Sequence, residues 1–112
     1  MPYLSVQTNV KVEDEAGLLS RLSQQVAKLL GKPESYVMLH IESDAAMLFA
    51  GSSGPLAFVQ LKSLGLPQAE TSSFSACLCS LLHDELGIDV GRVYIEFSGP
   101  ERHMWGWNGS TF

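Results

Sequence analysis

The segment "LLGKPESYVMLHI" at 29–41 can be laid over "ELGIDVGRVYIEF" at 85–97, an offset of 56 in a chain of 112 residues. Leu30 meets Leu86, Gly31 meets Gly87, Val37 meets Val93, Leu39 meets Ile95 and Ile41 meets Phe97. Each half therefore has to build the same unit, and the two units must share one core. The first half opens on "PYLSVQTNV", which alternates Leu4, Val6 and Thr8 against Tyr3, Ser5 and Gln7 as a strand does. The acidic Glu13-Asp14-Glu15 suits a helix N-terminus, and Leu18, Leu22, Val26, Leu29 and Leu30 recur at helical spacing. Gly31 closes that helix, Pro33 prevents its continuation, and "YVMLHIE" is a second strand.

After a turn at "GSSGP", 51–55, the order repeats. "LAFVQLKSLG" is a strand, and Thr71 or Ser72 is the expected N-cap of a helix. Its apolar stripe is Phe74, Cys77, Leu78, Leu81, Leu82 and Leu86, Gly87 ends it, and "RVYIEFSG" is the last long strand. Each β-α-β half should be a right-handed crossover with parallel strands. The expected fold is α+β: two pseudo-repeated β-α-β units, about 1–55 and 56–112, form a four-stranded mixed sheet with two helices on one face. All of 1–112 is read as a single domain. The other sheet face stays bare in a monomer. The strands carry large side chains on both parities, and only 17% of residues are charged, so association is expected to cover it.

A net charge of −5 with no basic block argues against nucleic acid or an anionic membrane as partner. The apolar runs are too short to span a bilayer. No charged region followed by a long apolar stretch marks a signal peptide, which fits a cytoplasmic protein. "NGS" at 108–110 matches a glycosylation acceptor, but without a secretion signal we read no modification there. Cys77 and Cys79 cannot staple distant segments, and on a helix they lie about 200° apart, so they neither pair nor chelate. His40, His83 and His103 have no metal spacing. "GSSG" lacks the length and Lys of a phosphate cradle.

Pro2 follows the initiator Met1, and a small second residue favours removal of that methionine. The product is a secondary amine. An α-amino group titrates near pH ~8, and apolar burial lowers that further. A neutral amine can move a proton to and from carbon. Against this, many chains simply carry Pro second. Lys32 is by default a cation at a helix C-terminus, and alternatively a partner for an anionic substrate that depresses a nearby amine. Tyr94 and Glu96 share one strand face. Trp105 and Trp107 can form an apolar wall or a subunit contact.

In order and spacing the chain resembles the macrophage migration inhibitory factor family of the tautomerase superfamily. The resemblance rests on "MP" before a strand, "TNV" at 8–10, "GKPESYV" at 31–37, "GSSGP" at 51–55, "SLG" at 63–65, "RVYI" at 92–95 and "GWNGSTF" at 106–112. It implies a homotrimer that tautomerises aryl pyruvates such as phenylpyruvate between keto and enol forms, without a cofactor. By position it makes Pro2 the base, Lys32 the ligand of the substrate carboxylate, and Leu64 a backbone support where the family has Ile. Tyr94, from the neighbouring subunit, would bond the substrate's distal end. Tyr3, Tyr36, Trp105 and Phe112 would line the pocket mouth. It also admits a cytokine-like protein with a receptor or protein partner, exported without a signal peptide, and reactions on other unsaturated or β-keto acids.

Two departures qualify the resemblance. Glu96 stands where the best-known members have Asn. Asn donates, whereas ionised Glu only accepts. Glu96 would enter the same pocket as Tyr94, with Arg102 or His103 as its neutralising partner. A second anion ~6 Å from a substrate carboxylate costs about 2–3 kcal/mol at an effective dielectric near 20, roughly a hundredfold in affinity. The second departure is Leu56-Ala57-Phe58-Val59, which replaces the Cys-x-x-Cys that some members carry, so no thiol–disulfide exchange is expected there.

Overall fold

The computed structural model describes residues 1–112. Strand β1 (Tyr3–Thr8) is followed by helix α1 (Glu15–Leu30) and strand β2 (Met38–Glu42). Strand β3 (Ala57–Lys62), helix α2 (Thr71–Leu86) and strand β4 (Val93–Ser98) repeat that order. The sheet runs β2-β1-β3-β4. β1 pairs parallel with β2 and β3 parallel with β4, while β1 and β3 meet antiparallel at the centre. The two expected units are therefore present and related by the central antiparallel pair.

Asp14 caps α1, its carboxylate accepting from the Gly17 N–H at 3.0 Å. Gly31 and Gly87 close the two helices at φ +62° and +67°, the left-handed conformation that glycine takes most readily. The expected cap at Thr71 or Ser72 needs correction. Glu70 holds the cap position without a side-chain bond, and Thr71 is already the first helical residue. A 3₁₀ turn, Gln68–Glu70, runs straight into α2, and the Thr71 hydroxyl donates back to the Gln68 carbonyl at 3.0 Å.

The core lies between the helices and one sheet face. Leu4 and Val6 of β1 meet Ala57, Val59 and Leu61 of β3, under Val26 of α1 and Leu78 and Leu82 of α2. The stripe on α2 narrows to Phe74, Leu78 and Leu82 as its fully buried members. Thr8 is buried, its hydroxyl donating to the Leu56 carbonyl at 2.7 Å. Asn9 then accepts from the Leu56 N–H at 2.9 Å and donates to the Ser53 carbonyl at 2.9 Å. These bonds give the "TNV" and "GSSGP" motifs one structural purpose: they tie the end of β1 to the start of β3.

The second sheet face is open in the chain, with Met38 and Tyr94 each 65% exposed. Its centre is more polar than residue size alone suggested. Gln7 donates to Glu42 at 3.0 Å, Gln60 donates to Glu96 at 2.9 Å, and Ser5 lies 3.4 Å from His40 Nδ1. Residues 105–112 add a small hairpin, β5 (Gly106–Trp107) with β6 (Ser110–Thr111), turned by Asn108 and Gly109 at φ +52° and +76°. Both central residues having positive φ is the mark of a two-residue hairpin turn. No helix is long and apolar enough to cross a membrane.

Candidate active site

Pro2 sits where β1 begins and its side chain is fully buried. Its carbonyl accepts from the Met38 N–H at 2.9 Å, so the first residue of β2 locks the N-terminal segment in place. In front of it opens a cavity of about 520 Å³ lined by Met1, Pro2, Tyr3, Ser35, Tyr36, Val37, Met38, Trp105, Gly106 and Trp107. Most of these are apolar. The hairpin supplies the far wall: Trp107 meets Tyr36 edge-on at 6.4 Å and stacks on Phe112 at 5.8 Å and 13°. Phe112 thus supports the wall from behind Trp107, and is not among the lining residues. Met38 and Trp107 are part of the site. The Asn108-Gly109 turn signal is what could have revealed the hairpin that carries Trp107, and the alternation of "YVMLHIE" puts Met38 on the open face.

Lys32 follows the Gly31 turn, and its ammonium donates to the Leu64 carbonyl at 3.3 Å. Leu64 is itself buried. One of three ammonium donors is thereby used, which fixes the cation and leaves donors for an anion. The terminal amine on Met1 is held below its ordinary pKa, first by burial and then by the charge of Lys32. Met1 is only partly buried, whereas Pro2 behind it is fully buried. An amine on Pro2 would stand deeper in the same surroundings, where apolar burial disfavours the cation. With Met1 attached, the Pro2 nitrogen is an amide and carries no basic lone pair.

Tyr94 and Glu96 do share the open face, but one chain does not bring them to Pro2. The register places Tyr94 opposite Phe58 and Phe58 opposite Gln7, five residues beyond Pro2 and two strands across. At about 3.3 Å per residue and about 4.8 Å per strand the separation is roughly 19 Å. Glu96 is held by Gln60, not by Arg102 or His103; the His103 ring lies 3.5 Å from Glu101. No three His, Cys, Asp or Glu side chains converge as a metal-donor set. Cys77 and Cys79 are both free thiols on α2, and burial raises the Cys79 thiol, which is the wrong direction for a reactive one.

The family model described as "Macrophage migration inhibitory factor (MIF)" matches residues 1–112. The chain belongs to the macrophage migration inhibitory factor family. It is 43% identical to the macrophage migration inhibitory factor of Meriones unguiculatus, over all of this chain and 99% of that one. It is likewise 43% identical to a homolog from Brugia malayi, with the same coverage. Among solved structures, a homologue from Prochlorococcus marinus superposes with a TM-score of 0.92 at 40% identity, covering 98% of each chain. MIF proteins fall within the tautomerase superfamily, and membership carries MIF-like function with it, tautomerase activity being a general property of the family. The family also implies an oligomer.

Proposed function

We propose that the chain is a cofactor-independent keto–enol tautomerase for phenylpyruvate-like 2-oxo acids. Its base is the Pro2 amine, exposed by removal of Met1. The observation that carries this reading is Pro2 itself, buried at the start of β1 and lining the apolar cavity, beside a Met1 amine whose pKa is lowered by burial and by Lys32. Keto–enol conversion moves one proton from the carbon beside the carbonyl to the carbonyl oxygen. A neutral Pro2 amine takes the carbon proton and, as an ammonium, returns a proton to oxygen. Lys32 would hold the carboxylate, and the apolar wall of Tyr36 and Trp107 would receive the aryl ring.

The reading includes a homotrimer in which Tyr94 enters a neighbouring subunit's pocket. The roughly 19 Å between Tyr94 and Pro2 along the sheet supports it, since a small 2-oxo acid cannot touch both within one chain. So do β2 and β4, which are both edge strands with unpaired backbone groups. Because the open face is largely polar, edge pairing offers association more than apolar burial does.

The test is an ultraviolet keto–enol assay with phenylpyruvate on processed protein, on Pro2→Gly and on a form retaining Met1, each verified by intact mass. Activity should be lost in the second and third. A Pro2→Gly variant as active as wild type refutes the assignment. Sedimentation at micromolar protein should give the trimer mass, and a single-chain mass would sink the trimer. A second reading is a MIF-like regulatory binding protein with residual catalysis, favoured by the macrophage migration inhibitory factors at 43% identity. Low turnover on every acid tested, beside specific partner capture, would favour it. Glu96 favours a third, a superfamily tautomerase for another unsaturated or β-keto acid.

A further inference from the structure

Arg92 directs its guanidinium at the carbonyls of one short loop. Nε donates to Pro55 at 2.9 Å, Nη1 to Phe49 at 3.3 Å, and Nη2 to Ser52 at 2.9 Å and Gly54 at 3.2 Å. Neither of the chain's two ion pairs involves Arg92. The guanidinium carbon also lies 5.3 Å from the centre of the Phe49 ring, within cation–π range. The loop it grips is tight. Phe49 and Ser52 exchange both backbone hydrogen bonds, at 3.1 and 2.9 Å, around Ala50 and Gly51 at φ +53° and +73°. Alanine is strained in that region, and such strain persists only where its surroundings over-determine it.

The product of this arrangement is the placement of one ring. Phe49 meets the Tyr94 ring edge-on, centroids 4.8 Å apart at 62°. Tyr94 is otherwise mostly exposed and lies on β4, two residues beyond Arg92, which ends the 3₁₀ turn leading into that strand. We propose that Arg92 is a positioning residue which, by clamping the 49–55 loop, holds Phe49 against Tyr94 and so sets affinity for the distal end of an aryl 2-oxo acid. The proposal rests on the reading of Tyr94 given above. Arg92 touches no substrate; its effect passes through Phe49.

Initial rates with 4-hydroxyphenylpyruvate and with a short 2-oxo acid lacking a ring test this. The variants are Tyr94→Phe, Phe49→Leu, Phe49→Tyr, Arg92→Lys and the double variant Phe49→Leu/Tyr94→Phe. Loss of one neutral hydrogen bond predicts a KM for the hydroxylated substrate raised about fivefold in Tyr94→Phe. Phe49→Leu and Arg92→Lys should raise it similarly with kcat kept and the short acid unaffected, and Phe49→Tyr should restore it. The double variant should be no worse than Tyr94→Phe, because the two act in series. Equal effects on both substrates, or a fall in kcat alone, would mean a merely structural loop and overturn the proposal. If Tyr94→Phe raises KM while Phe49→Leu and Arg92→Lys do not, the positioning role fails and the Tyr94 reading stands. If Tyr94→Phe changes nothing, the Tyr94 reading itself fails and takes the proposal with it. Should Arg92→Lys fail to assemble, as read by sedimentation and thermal melting, the Phe49 variants decide.

Discussion

Replacing Lys32 by Met should change the reaction in two separable ways. The first is binding. Lys32 is anchored on the Leu64 carbonyl at 3.3 Å, so on the proposed reading its remaining donors would meet a substrate carboxylate without reorganisation. A hydrogen bond to a charged group contributes about 1.5–3 kcal/mol, so kcat/KM for phenylpyruvate should fall roughly ten- to a hundredfold, mostly through KM.

The second effect is on pH dependence. The base must be neutral to act, so kcat/KM falls as pH drops through the amine's pKa in the free enzyme. Both causes that act on the Met1 amine, burial and Lys32, disfavour the cation, and on the proposed reading the pKa of the Pro2 amine exposed in its place should be lowered by the same two. Removing Lys32 abolishes only the second, smaller cause. The acid limb should therefore move to higher pH, yet stop short of the ordinary α-amine value, because burial remains. Lys62→Met is the control: Lys62 lies opposite Tyr3 at the same end of the sheet but is not among the causes of the shift, so the limb should stay put. The assay is the keto–enol rate across pH 5–9 on processed protein at constant ionic strength, since salt screens the interaction. An unmoved limb in Lys32→Met, one displaced to lower pH, or an equal shift in Lys62→Met would refute the electrostatic argument.

Glu96→Asn should raise kcat/KM on phenylpyruvate by up to roughly a hundredfold if Glu96 faces the bound acid in the trimer, as read by a substrate screen beside wild type. Gly87→Ala should cost about 1 kcal/mol in urea melts at fixed protein concentration, since an added Cβ meets nothing within 4 Å and only the positive φ resists it. Gly31→Ala should cost about as much in stability and also lower kcat/KM, because Lys32 follows it directly. Leu22→Ala, at a position 1% exposed, should cost about 2–5 kcal/mol, checked by the same melts.

The duplication made the fold readable, and where it breaks it marks the site. Val37, Leu39 and Ile41 pack against the core as do Val93, Ile95 and Phe97, and the glycines that close both helices share one conformation. Lys32 is the instructive mismatch. Its counterpart 56 residues on is Ile88, which is 0% exposed and part of the core. A scaffold that needs an apolar plug at this point in one half has a cation there in the other, and that cation acts on the terminal amine next to Pro2. Helix dipole alone explains a Lys after Gly31; it does not explain giving up the plug. The paired strands diverge in the same way. Met38 and Tyr94 occupy equivalent open-face positions, each 65% exposed, but Met38 lines the Pro2 cavity and Tyr94 lies far from it. No pattern along one chain reveals that difference, because the two positions are equivalent in the repeat and only the folded sheet separates one of them from Pro2. The hairpin at 105–112 escaped for another reason. Asn108-Gly109 is a strong turn signal, but its arms are only two residues each, below the length at which alternation can register. What places Trp107 is stacking on Phe112 and the edge contact with Tyr36, and such contacts between distant segments appear only once the chain is folded.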